Sequence, residues 1–200
     1  MLIGKMGRGD MGESSKRPLA PGDLGLVQLF INTNDREEGT DLFEDANAIR
    51  VWMREYGLES PSMISEHERK HVVEFREALR SLAGANNGRP AERAAIELLN
   101  RAAARLPILV RFGSAGLAQI EAQGEGVQAL LSRLVAIVTA AQCSGTWQRL
   151  KACSRDKCQW VFYDRSRNRS GAWCEMGICG AREKSMAYYR RRRGGARPVR

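Results

Sequence analysis

Histidine is nearly missing from this 200-residue chain, with only His67 and His71, and aromatic residues make up 6% of it. No run reaches the roughly 18 to 20 consecutive apolar residues that a membrane span requires. The longest apolar-rich stretch, 127–141, is interrupted by Ser132, Arg133 and Thr139. The opening MLIGKMGRGDMGESSKRP has no apolar h-region, which excludes a secretory signal in that stretch. These absences lead us to expect a cytoplasmic protein with no membrane partner. Residues 1–21 read as a disordered leader, with Met6 and Met11 as alternative starts. Acidic residues are scarce at one end. Residues 1–142 hold 17 Lys+Arg against 19 Asp+Glu, whereas residues 143–200 hold 15 against 4, so the whole +9 excess sits in the last 58 positions. A near-neutral body joined to a basic end points to a polyanion partner there.

With 43% hydrophobic and 28% charged residues, the chain has neither the composition of a disordered segment nor that of a fibrous one. The periodicity predicts a mainly α fold with one small β-hairpin (α+β). Thr40 or Asp41 is placed to cap a helix with Leu42, Ala46, Ile49, Trp52, Met53 and Tyr56 on one face, ending near Gly57. Ser65 and Glu68 form a capping box ahead of Val72, Phe75, Leu79 and Leu82, and Asn86, Asn87 and Gly88 break that second helix. Pro90 suits the first turn of a third helix with Ala95, Leu98, Leu99 and Ala102 inward. Residues 107–121 read as two β-rich runs about Gly113 to Gly116. Val127, Leu130, Leu131, Leu134, Val138 and Ala141 form the strongest helical stripe, while the apolar segment 24–31 is ambiguous in type.

Five cysteines in a chain of this kind argue for metal binding or buried thiols rather than a disulfide framework. Cys153 and Cys158 are separated by four residues, as are Cys174 and Cys179, with fifteen residues between the pairs. Two such pairs complete a tetrahedron of four sulfurs about one zinc ion, leaving no position for water, so the site is structural. Unliganded thiols and an iron–sulfur cluster are the competing readings. Residues 150–185 are expected to fold only with the metal. Cys143, left over, reads as a small buried hydrophobe.

The segment CSRDKCQWVFYDRSRNRSGAWCEMGICGAREK resembles the CGNR-type zinc finger. It carries Trp160, Phe162 and Asp164, then Ser166, Asn168 and Arg169, then Trp173 with Cys174, and finally Cys179-Gly180-Ala181-Arg182. Ala181 stands where that family has its signature Asn. Upstream, LVQLFINTNDREEGTDLFEDANAIRVWMREYGL is similar to the opening of the helical ABATE domain that accompanies this finger in stress-induced transcription regulators. The resemblance implies a helical domain over 22–142, a zinc finger with a basic C-terminal helix over 147–193, a short disordered tail over 194–200, and a bacterial, nucleoid-associated regulator with a duplex DNA target.

Arg165, Arg167, Asn168 and Arg169 lie in the loop between the cysteine pairs, and Arg and Asn are the residues that read guanine and adenine bidentately. The helix-prone run that follows brings Arg182, Lys184 and the block Arg190, Arg191, Arg192 and Arg193, suited to phosphate neutralisation. A homodimer through the helical domain and a small-molecule effector of unknown identity complete the expected partners. RNA or the transcription machinery is the alternative target. His67-Glu68-Arg69-Lys70-His71 matches the H-E-x-x-H zinc-protease motif. Its two inner cations, the lack of a third histidine and the role of Glu68 in the capping box argue against catalysis, and no enzymatic activity is expected.

Overall fold

The structure is a computed structural model that describes residues 18–194; the expected leader up to residue 17 and the tail from residue 195 lie outside the described residues. The order of elements is α1 (Leu24–Ile31), β1 (Asn34–Asp35), β2 (Thr40–Asp41), α2 (Ala46–Glu55), α3 (Glu66–Ala85), α4 (Arg93–Ala103), β3 (Ile108–Phe112), β4 (Ala118–Ala122) and α5 (Gly126–Cys143). A 3-10 turn (Trp147–Arg149), β5 (Leu150–Ala152), β6 (Val161–Tyr163), a π-turn (Met176–Gly180) and α6 (Ala181–Gly194) follow. The strands form three separate antiparallel pairs, β1 with β2, β3 with β4 and β5 with β6.

The ambiguous segment 24–31 is a helix, buried through Leu24, Val27, Phe30 and Ile31. The second helix begins later than the apolar period suggests, because Asp45 caps it through the Ala48 amide. Thr40 and Asp41 are unavailable as caps. They pair with Asp35 and Asn34 in a strand, and the Asp41 carboxylate accepts both Arg76 guanidinium NH groups at 2.6 and 2.7 Å. Leu42 is consequently exposed. The Ser65–Glu68 capping box is present, with both reciprocal bonds made. Pro90 precedes α4 rather than opening it: Glu92 is the cap and Arg93 the first helical residue. The hairpin at 107–121 forms with Val110 facing Ile120 and Phe112 facing Ala118.

α5 is, by length and composition, the one described helix apolar enough to cross a membrane. Val127, Leu130, Leu131, Leu134 and Ala141 on it are nevertheless buried, and it packs on α1 and α3. Cys143, expected inside, is exposed. It ends the helix two positions past Ala141, beyond the inward stripe. At the centre lie Phe30, Phe43 and Trp52, whose rings meet at 5.7 to 5.9 Å between centroids in tilted and edge-to-face contacts. The same apolar cluster includes Trp147, Leu150, Ala152, Val161 and Tyr163. The β5–β6 hairpin, which carries the cysteine site, therefore shares the core of the helices.

Candidate metal centre and basic face

Two backbone knuckles and one hairpin assemble the cysteines. Cys153 follows β5 directly, and its amide donates to the Trp160 carbonyl at 2.9 Å, extending the β5–β6 ladder. The Cys158 and Gln159 amides both donate to Arg155 O, which closes the first knuckle. Gln159 takes φ 50° there, a left-handed conformation uncommon outside glycine. The second knuckle is the π-turn, where the Cys179 and Gly180 amides donate to Glu175 O. A Cβ at position 180 would meet Met176 Sδ at 2.7 Å and the Trp173 ring at 3.4 Å, so a side chain there would have to displace the methionine.

All four sulfurs are buried and lie within 4.8 Å of one another. Cys158 and Cys174 are 3.7 Å apart and Cys174 and Cys179 3.6 Å apart. A tetrahedron with Zn–S bonds near 2.3 Å has edges of about 3.8 Å, so these two pairs already stand at the spacing that zinc imposes. The electrostatics agree. S–H donation by Cys158 and Cys174 pulls the Cys153 thiol far below the usual thiol range. That shared thiolate in turn pushes Cys158 and Cys174 up, and burial pushes Cys179 up. Crowded thiols with no cation support one negative charge; a dication is what lets all four ionise. The tetrad is a structural site for one zinc ion, and four thiolates fill the ion's coordination shell. Phe162 is buried in this cluster, and Trp160 and Trp173 pack against it.

His67 and His71 take no part in such a cluster. Among the described residues, the cysteine tetrad is the one group of three or more potential ligands brought together. Glu68 is committed to Ser65.

The basic loop is shaped by a buried ion pair that sequence reasoning did not assign. Lys151 Nζ donates to Asp164 Oδ2 at 2.8 Å, with both side chains almost fully buried. Lys151 also donates to the carbonyls of Arg169 and Gly171. Asp164 accepts the amides of Ser166 and Gly171. Burial opposes the charge on Asp164, but Lys151 and these donors overcome it and hold the carboxyl well below the usual range. Arg165, Arg167, Asn168 and Arg169 are displayed outward on the resulting loop, all exposed. Arg165 donates to Leu19 O and lies over the Tyr163 ring, 5.8 Å from its centroid.

On α6, Arg182, Lys184, Arg190, Arg191 and Arg192 flank the finger, and all five are exposed. Arg192 covers Tyr188, Arg190 lies 3.9 Å from Glu183, and Arg182 pairs with Glu37. The Arg193 side chain lies outside the described residues. Loop and helix are joined by the π-turn: one groove, lined by Tyr163, Arg165, Ser170 and Met176, sits on one side of it. A second, lined by Arg155, Ile178, Ala181, Arg182, Met186 and Tyr189, sits on the other. Ala181 is thus an exposed wall residue of the second groove, beside Arg182.

Sequence reasoning also missed the polar seam that fastens the finger to the helices. Asn87, read only as a helix break, donates to Ala152 O, Ala172 O and Ser154 Oγ. Asn86 donates to Trp147 O and Leu150 O, and Arg89 reaches Ser154 O and Asp156. Asn32 exchanges two bonds with the Val161 backbone. Arg80, 1% exposed, donates to Gln159 O as well as to Ile31 O and Asn34 O. No sequence period marks these positions. The available signal was the polar run Asn86-Asn87-Gly88-Arg89 at the end of a helix otherwise well packed.

Fold and site together define a zinc-finger protein in which a four-cysteine knuckle is built into the flank of a helical body. Residues 149–192 match the CGNR zinc finger. Over residues 25–143 the chain matches the ABATE family, described as a putative stress-induced transcription regulator, and it belongs to that family. The chain matches no curated protein sequence.

Proposed function

We propose that this protein is a transcription regulator of the cytoplasmic nucleoid that binds duplex DNA through the basic loop and α6, with zinc holding both in place and no catalytic step. The observation that carries this reading is the distribution of charge. The excess cations lie after residue 142, and those on the loop and on α6 flank a closed four-cysteine site with their side chains turned largely to solvent. Arg167, Asn168, Lys184 and Arg191 make no side-chain hydrogen bond or ion pair among the described residues, which leaves them available to phosphates and base edges. Six phosphate contacts would cost about three powers of ten in affinity between 50 and 200 mM salt.

A salt titration of the zinc-loaded protein against duplex DNA, single-stranded DNA and RNA tests this. Tighter binding to duplex with a steep salt slope is expected; equal affinity for all three refutes a specific DNA regulator and favours the RNA or transcription-machinery alternative.

The β3–β4 hairpin supports a homodimer within this reading. Val110, Phe112 and Ile120 lie on one face, all exposed, and the opposite face carries the Arg111–Glu121 ion pair at 2.8 Å. These three side chains form a contiguous apolar patch on the hairpin that a second copy of the chain would cover. Val110→Asp with Phe112→Asp should give a monomer by sedimentation; a wild type that is already monomeric at tens of micromolar overturns the dimer.

A further inference from the structure

Two guanidinium groups of the finger converge on one carboxylate of the body. Arg155, in the first knuckle, and Arg182, in the first turn of α6, both donate to Oε1 of Glu37. Glu37 sits in the turn between β1 and β2, and its amide is anchored to Asp35 Oδ1 at 3.0 Å. The neighbouring Arg36 is fixed to Gln159 Oε1 and to Glu77, both at 2.7 Å, so the turn is held at the knuckle independently of Glu37. One negative charge therefore faces two positive ones, at the rim of the groove lined by Ile178, Ala181, Ser185, Met186 and Tyr189. A pair of converging arginines is the arrangement that binds phosphate oxygens, and a carboxylate oxygen there stands in for one of them.

We propose that Arg155 and Arg182 form a backbone-phosphate site of the DNA-binding face, and that Glu37 masks it until a phosphate displaces it. The inference rests on the duplex-binding reading above. It assigns to the helical body a direct restraint on the finger: bound DNA must compete with Glu37, which lowers affinity and the number of counterions released. Arg182 is half exposed while Arg155 is largely covered, so the phosphate is engaged from the α6 side. The apolar wall of Ile178 and Met186 then faces the sugar, and the Ser185 and Tyr189 hydroxyls border the groove.

Fluorescence anisotropy of a labelled duplex of mixed sequence, with the full-length zinc-loaded protein between 50 and 200 mM salt, tests the mask. Glu37→Gln should bind about tenfold more tightly than wild type, and its plot of log affinity against log salt should be steeper by about 1, the slope of one added phosphate contact. Adding Arg182→Ala should abolish the gain. Where Glu37→Gln lowers zinc content, Glu37→Asp, one methylene too short to bridge both guanidiniums, should show the gain instead. Wild type that binds duplex while both Glu37 variants bind equally or more weakly overturns the mask and leaves the DNA reading standing. A gain that survives Arg182→Ala also overturns it. Absence of duplex binding by wild type and variants alike overturns both readings.

Discussion

Glu77 is the acid that the internal arginines of α3 share, Arg76 having Asp41 besides, and Glu77→Gln removes its charge while keeping its shape. Its carboxylate accepts from Arg36 at 2.7 Å, Arg76 at 2.8 Å, Arg80 at 3.0 Å and Asn34 Nδ2 at 3.2 Å. Arg76 and Arg80 are each 1% exposed. Burial by itself would raise the Glu77 pKa, but Arg80, Arg76 and Arg36 outweigh it and bring the group from 4.5 down to about 2. That depression corresponds to about 3 kcal/mol of folding stability at neutral pH. The loss of one partner from a buried charge cluster is worth roughly 3 to 5 kcal/mol, the same range. Arg80 would keep three carbonyl partners, Ile31 O, Asn34 O and Gln159 O, but no acid.

We therefore expect Glu77→Gln to lose about 3 kcal/mol, seen as a fall of roughly 6 to 12 °C in melting temperature. The pH dependence follows from the sign of the shift. The folded pKa is depressed, so the stabilisation is complete above the unfolded value near 4.5 and disappears as pH falls toward 2. Urea denaturation of both proteins should show a constant gap from pH 8 to pH 5 that closes between about pH 4.5 and pH 2. A gap under 1 kcal/mol at pH 7, or one of equal size at pH 7 and pH 3, would refute the charge argument.

Asn87→Ala removes three hydrogen bonds across the seam, and unsatisfied acceptors cost about 1 to 3 kcal/mol. Chelator should then strip zinc faster at unchanged stoichiometry, whereas an unaltered release rate would show that the seam does not brace the site. Gly171→Ala places a methyl group 2.9 Å from Asp164 Cγ and Oδ1; overpacking of this kind costs about 1 to 3 kcal/mol. It should weaken duplex binding through the displaced loop, and a variant of wild-type stability would contradict the packing described there.

The helices were legible where periodicity and capping speak locally. The stripe of α5 and the Ser65–Glu68 box needed only neighbours three and four residues away. The cysteine tetrad was legible because metal geometry constrains spacing, and Trp160, Asp164 and Trp173 added a resemblance to it. What the sequence did not disclose depends on partners far along the chain. Asp41 looked like a helix cap, yet Arg76, 35 residues on, claims its carboxylate. Cys143 looked like core, yet the helix turns it to solvent at its last residue. Asn86 and Asn87 had the look of a break, and they act as one only in part, since their amides satisfy finger carbonyls 61 to 85 residues away. Lys151 is a cation in a strand, and only the fold shows that it faces Asp164 rather than solvent.

At the centre of this account is a single structural zinc held by Cys153, Cys158, Cys174 and Cys179 in a finger that shares the core of the helical body. Elemental analysis of the purified full-length protein tests it most directly. Wild type and the His67→Ala/His71→Ala double variant should both contain one zinc per chain, and Cys174→Ser should lose it together with stability, because β5 and β6 carry core residues. Less than half an equivalent in wild type, or one equivalent lost on removing the histidines, would contradict the account.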